Sequence, residues 1–273
     1  MIPYPEINPE ILPIHIFGLR LAVTWYGFLY VIAFTIAFIF YRYNLKLKNI
    51  VLNREQYENY IFVIMLGVIF GGRLGYILFY GLPYYISHPL HVFSVWEGGM
   101  SFHGGALGVV IAVLLYCRQY KIKFLKLADP SMPFVAIGLG LGRFGNFING
   151  ELFGRPTNVP WAMIFPNSDN QPRHPSQLYE LFMEGIVLFT VTQWLNHKKL
   201  KDGSVFWIFF ILYGIFRIII EFFREPDQIS IYKNGLLYGF LPITQGQFLS
   251  ILMIIAGTIG MIVLYSNKAK SNA

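Results

Sequence analysis

Arg143 stands in the run GLGLGRFGNFINGELFGRPT, Gly138 to Thr157, which follows an apolar stretch and carries six glycines. Arg217 and Glu221 stand four residues apart in RIIIEFFREPD, the spacing that puts two side chains on one face of a helix. His103 lies between glycine pairs in EGGMSFHGG. Each has a chemistry. An arginine grips a phosphate with a planar bidentate fork, which suits a poorly hydrated place better than a lysine does. A neutral imidazole can accept a proton near neutral pH. These residue types together fit a site for an anionic group with a proton acceptor.

Each of them also has a plainer reading. Arg217 and Glu221 could be an ion pair that satisfies itself and holds one helix in a bundle, or both could line a polar cavity. His103 could be a hydrogen-bonded group at a helix start. His174, in RHPSQ, is a loop residue before a proline, where a helix-entry contact is the simpler expectation. Gly67, Gly71 and Gly75 have the small-xxx-small spacing of close helix packing, as do Gly104 with Gly108 and Gly138 with Gly142. The glycines of FHGG and NGELFG adjoin polar residues at span ends, where an unwound backbone would offer N–H groups to an anion. Cys117 is the single cysteine, so an intrachain disulfide and a cysteine-based metal site are excluded. It is expected to be an inert packing group.

What must position these residues is a set of membrane helices. The 273-residue chain is 55% hydrophobic and 13% charged, against about 25% charged for soluble domains. Seven apolar stretches approach the roughly 20 residues of a bilayer-spanning helix: 18–41, 57–80, 101–117, 131–148, 177–195, 204–223 and 244–265. The expected fold is an all-α integral membrane protein with seven transmembrane helices, one polytopic domain over 1–273. The N-terminal MIPYPEINPEILPIHIFG is acidic and proline-rich, so no cleavable signal peptide is expected.

The charges set an orientation. Arg42, Lys46, Lys48 and Arg54 follow span one, and Arg118, Lys121, Lys123 and Lys126 follow span three. Lys198, Lys199 and Lys201 follow span five, and Lys268 and Lys270 follow span seven. The alternate loops hold only Arg155, Arg173, Arg224 and Lys233. Positive charge marks the cytoplasmic side, which puts the N-terminus outside and the C-terminus in the cytoplasm. The net charge of +7 is thereby spent on topology, and no nucleic acid is expected as a partner. Four arginines remain. Arg20 can snorkel from the start of span one. Arg73, Arg143 and Arg217 lie within or at the ends of spans two, four and six, where ionisable residues are costly and face a partner or a cavity. The chemistry is expected at the outer half of the membrane, where a lipid phosphate is the available anion. The plainer alternative, interfacial anchors that contact any headgroup without turnover, fits Arg155 and Arg173 better than Arg143 and Arg217. A transporter would more often show internal repeats, and none is evident. A scaffold or receptor would not need these groups to converge.

GLGLGRFGNFINGELFG resembles the signature of the prolipoprotein diacylglyceryl transferase family, as do SFHGG, RHPSQLYE and RIIIEFFREPD. The resemblance runs from TWYG at 24–27 to the last span. It implies work at the outer face of the bacterial cytoplasmic membrane. There the family moves a diacylglyceryl group from phosphatidylglycerol to the thiol of the lipobox cysteine in a preprolipoprotein signal peptide. Glycerol 1-phosphate is released. The partners implied are phosphatidylglycerol, that signal peptide and membrane lipids, with no cofactor and no metal. Arg143 matches the family's phosphate-binding arginine, and Arg217 and Glu221 its second Arg–Glu pair. Asn146, Glu151 and Gly154 match further functional positions of the signature, so that Arg143, Asn146, Glu151, Gly154 and Arg217 are expected to bind the phospholipid. Tyr26 and His103 match positions the family also relies on. The implied catalytic set is His103, Arg143, Arg217, Glu221 and Tyr26.

Overall fold

The computed structural model describes residues 1–16, 19–94, 98–226, 232–233, 236–237 and 243–266. Glu97, Lys268 and Lys270 lie outside the described residues, as do the side chains of Arg20 and Lys233. The chain forms two compact units, Met1–Lys48 with Ala128–Ala273, and Asn49–Leu127.

The first unit opens with β1 (Glu10–Ile16) and β2 (Leu19–Thr24), paired antiparallel with Glu10 opposite Thr24. α1 (Trp25–Leu47) follows directly. Span one was expected from residue 18, but residues 19–24 form a strand. Apart from Arg20 the stretch stays largely apolar through both elements, so composition does not mark the switch. Thr24 does: its Oγ1 accepts the N–H of Gly27 at 3.2 Å and caps the helix.

In the second unit, α2 (Arg54–Tyr76) begins with a capping box between Asn53 and Gln56. A π turn, Ile77–Gly81, carries it into α3 (Leu82–Ser87). α4 (Phe102–Tyr120) is capped by Ser101. The backbones of α2 and α4 touch along the glycine spacing. A methyl group on Gly71 would lie 2.5 Å from the Gly104 carbonyl oxygen, and one on Gly104 would run into that of Gly71. The small-xxx-small reading of Gly67, Gly71, Gly75, Gly104 and Gly108 therefore accounts for these residues. Arg73 is explained here too. Its Nε donates to the carbonyl of Val92 at 2.9 Å, Nη2 to that of His91 at 2.5 Å, and Nη1 to that of Gly98 at 2.6 Å. It organises the backbone after α3, a structural task for a buried charge.

α5 (Phe124–Ile148), which belongs to the first unit from Ala128 on, starts seven residues before the expected span and runs through Pro130 and Pro133. Neighbouring side chains take backbone groups near the prolines: Asn44 Nδ2 donates to the Pro130 carbonyl at 3.1 Å and Asn196 Nδ2 to that of Asp129 at 3.2 Å. A long loop leads to α6 (Ser176–Glu180), which continues through a π turn, Leu181–Val187, into α7 (Leu188–Asn196). α8 (Ser204–Glu221) starts where Asp129 accepts the N–H groups of Gly203 and Phe206, both at 2.8 Å. β3 (Tyr232–Lys233) and β4 (Leu236–Leu237) precede α9 (Gln245–Ser266). Met132 and Ala136 of α5, Leu188 of α7, and Val205, Phe209 and Tyr213 of α8 form the apolar core.

Among the described residues, six helices are long and apolar enough to cross a membrane: α1, the run Arg54–Ser87, α4, α5, α8 and α9. The helical run over residues 176–196 coincides with the remaining expected span. It carries two glutamates and a π turn, and it is not among the six.

Candidate active site

Arg143 lies near the C-terminal end of α5, Arg217 near that of α8, and the run that begins with α6 starts at the same end of the first unit. Two residues that sequence reading passed over complete the arrangement. Glu180 and Glu184 are one turn apart and fully buried. Arg143 Nε lies 3.4 Å from Glu180 Oε2 and 3.9 Å from Glu184 Oε2. Arg217 Nη1 donates to Glu180 Oε1, and Arg217 Nη2 lies 3.1 Å from Glu221 Oε2. Arg224 Nε is 3.8 Å from Glu180 Oε1. One buried carboxylate thus faces three guanidinium groups. The signal that would have found it is the one applied to the arginines, an ionisable residue inside an apolar span. Subtraction of the basic loops counted positive charges alone.

Arg217 is therefore paired with Glu221 as expected, but the pair is not self-contained, because Glu180 bridges it towards Arg143. The π turn directly after Glu180 bears Glu184, and π turns recur where a helix must place groups for function. Close approach fixes α5 against this run: a methyl on Gly140 would lie 2.9 Å from the Gly185 Cα. The expected packing pair, Gly138 with Gly142, plays no such part. Nothing lies within 4 Å of a methyl on Gly138, and only the Tyr30 ring approaches one on Gly142. Gly246, in the first turn of α9, packs against the Glu221 carboxylate, where a methyl would lie 2.6 Å from Oε2. The partial positive charge at a helix N-terminus favours a carboxylate there.

The remaining expected residues fall in two places. Tyr26, in the first turn of α1, lays its ring on Gly145 of α5, and its hydroxyl is 3.4 Å from that of Tyr30. Asn146 is buried and donates through Nδ2 to Glu151 Oε1 at 2.8 Å, where Asn149 also donates at 3.0 Å. These residues and Gly154 all belong to the first unit. His103 belongs to the second. It is exposed in the first turn of α4, its ring 5.7 Å from that of Phe102.

Gly154 is a backbone crossing. Its N–H donates to the His174 carbonyl at 2.8 Å, and it bridges to Arg224. A methyl there would sit 2.5 Å from the Phe223 oxygen and 2.7 Å from the His174 oxygen, both backbone atoms that cannot swing away. Gly154→Ala is expected to cost about 1–3 kcal/mol through overpacking, read as a lowered thermal transition in detergent. A wild-type transition would show that the crossing yields.

Arg173 departs from the expected headgroup anchor. It is buried, and its guanidinium forks onto Asp169 at 3.0 Å through both Nε and Nη2. Nη1 donates to the Gly154 carbonyl at 3.0 Å and to Glu225 Oε2 at 2.6 Å. The hydrogen-bonded arginine holds the Asp169 carboxyl below its usual range. Arg173 thus staples the loop carrying Gly154 to the chain after α8. His174 is the helix-entry contact expected of it: its Nδ1 pairs with the Tyr179 hydroxyl at 3.1 Å, and burial lowers its pKa.

Residues 13–263 match the family model described as prolipoprotein diacylglyceryl transferase. A phosphatidylglycerol–prolipoprotein diacylglyceryl transferase of Geobacter sulfurreducens is 49% identical, over 97% of this chain and 98% of its own. The enzymes of that name from Nitrosomonas europaea and Bordetella avium are 49% and 45% identical, over 94% and 95% of this chain and 90% and 95% of theirs. The chain belongs to the prolipoprotein diacylglyceryl transferase family.

Proposed function

We propose that this chain transfers the diacylglyceryl group of phosphatidylglycerol to the thiol of a lipobox cysteine and releases glycerol 1-phosphate. The observation that carries the reading is the meeting of Arg143 and Arg217 on one buried carboxylate at the ends of their helices. The thiolate sulfur bonds to the glycerol carbon, and the bond from that carbon to the phosphate oxygen breaks. Its electron pair leaves with the phosphate, whose growing charge the arginines stabilise. Arg143 is the most accessible of the three clustered arginines, with 18% of its side chain exposed against 11% for Arg217 and 4% for Arg224. It meets the phosphate first. Glu221 and Glu180 orient Arg217. Asn146, Glu151 and Gly154 shape the adjoining wall, and Tyr26 packs against the α5 segment that bears Arg143. A free thiol has a pKa of about 8.5 and needs a proton acceptor, the role assigned to His103.

The topology that goes with this reading is seven spans in one polytopic domain, N-terminus outside and C-terminus inside, in the bacterial cytoplasmic membrane. The site faces outward. The distribution of loop lysines and arginines supports it, and the run over 176–196 supplies the seventh span. A single assay tests the function: purified protein, phosphatidylglycerol and a lipobox peptide, followed by glycerol phosphate. Release is expected with the cysteine peptide and not with its Cys→Ser form. No release with the cysteine peptide, or equal release from both, would overturn the reading.

A further inference from the structure

The cluster holds three arginines, Arg143, Arg217 and Arg224, and three glutamates, Glu180, Glu184 and Glu221. Ionised throughout, they cancel. The glutamates are not equivalent. Glu180 takes a hydrogen bond from Arg217, and Glu221 lies 3.1 Å from the same guanidinium. Glu184 is fully buried, and neither of its oxygens has a hydrogen-bond partner among the described residues. Arg143 Nε approaches it to 3.9 Å. The charged and titratable groups that face it are Glu180 from its own helix, Arg143 from α5, Tyr213 and Arg217 from α8, and Arg224 just beyond α8. Two carboxylates sharing one buried site disfavour each other's ionisation.

A balanced cluster has little net attraction for an anion. A phosphodiester headgroup brings one negative charge to Arg143, beside two carboxylates. Balance returns when one carboxylate takes a proton, and Glu184 has no hydrogen bond to lose by doing so. We propose that Glu184 takes up a proton as the anionic phospholipid headgroup binds, which frees Arg143 for the phosphate and links phospholipid affinity to pH. Glu184 is then a positioning residue, acting through Arg143. The inference rests on the reading of Arg143 as the phosphate-binding residue.

Proton uptake on binding makes affinity rise as pH falls, by up to about tenfold per pH unit where Glu184 is ionised in the free protein. The test is titration calorimetry of the full chain in phosphatidylcholine nanodiscs with short-chain phosphatidylglycerol, in two buffers of different ionisation enthalpy. The difference counts protons. Wild type is expected to take up about one proton per lipid bound at a pH above the titration. Glu184→Gln, a permanent mimic of the protonated acid, is expected to bind with no uptake and a flat pH profile, and Glu184→Asp to restore both. Binding without uptake by wild type, or equal uptake by Glu184→Gln, overturns the role of Glu184 and leaves the transferase reading standing. Should Glu184→Gln fail to fold, the wild-type count alone decides. Failure of the wild type to bind phosphatidylglycerol at all overturns the phospholipid reading and this inference together.

Discussion

Arg143→Gln is expected to lower glycerol phosphate release by at least about two to three orders of magnitude, the loss typical of removing one donor that stabilises developing negative charge. The protein should remain folded in the membrane. The reason lies in how the cluster is wired. Arg143 stands 3.4 Å from Glu180 and 3.9 Å from Glu184, whereas Glu180 is hydrogen-bonded to Arg217, which also pairs with Glu221. Loss of Arg143 leaves that second set intact. The measurement is turnover of the purified variant beside its thermal transition. Arg143→Lys is expected to recover little, because an ammonium is a point charge without the planar fork that a phosphate accepts. A fully active Arg143→Gln enzyme would remove Arg143 from the chemistry.

The spans were legible because hydrocarbon leaves the chain few choices: long apolar runs must be helical. Six of the seven expected spans are helices of spanning length, with ends displaced where local chemistry outvotes composition. Thr24 caps α1 late, and α5 passes through two prolines whose surroundings supply hydrogen bonds from Asn44 and Asn196. Arg143 and Arg217 were legible as charges without a topological job, and Glu221 by its four-residue spacing from Arg217. Glu180 and Glu184 were given no role, although they break an apolar run as plainly, because acids do not enter the count of loop charges. Arg73 passed the same filter and turned out to hold carbonyls, since burial of a charge states only that a partner exists, not which one. The small-xxx-small spacing was informative for Gly71 and Gly104 and silent for Gly138. Spacing identifies a face of small residues, and only the fold decides what meets it.

Glu180→Ala is the substitution expected to cost most in stability. It removes a carboxylate that lies within ion-pair distance of Arg143, Arg217 and Arg224 together. Breaking a buried ion pair from one side typically costs about 3–5 kcal/mol, because the partner's charge stays buried without compensation. The loss should appear as a lower thermal transition and reduced yield in membranes. Stability and activity can then be separated. In the double variant Glu180→Ala with Arg217→Met, one charge of each sign is gone, and two arginines remain against Glu184 and Glu221. Replacing both members of a buried pair by apolar groups is often neutral. Most of the lost stability is therefore expected to return, while transfer stays low because Arg217 no longer meets the phosphate. A double variant as unstable as Glu180→Ala would show that Glu180 acts by something other than charge balance. A double variant with wild-type turnover would show that Arg217 serves the fold and not the reaction.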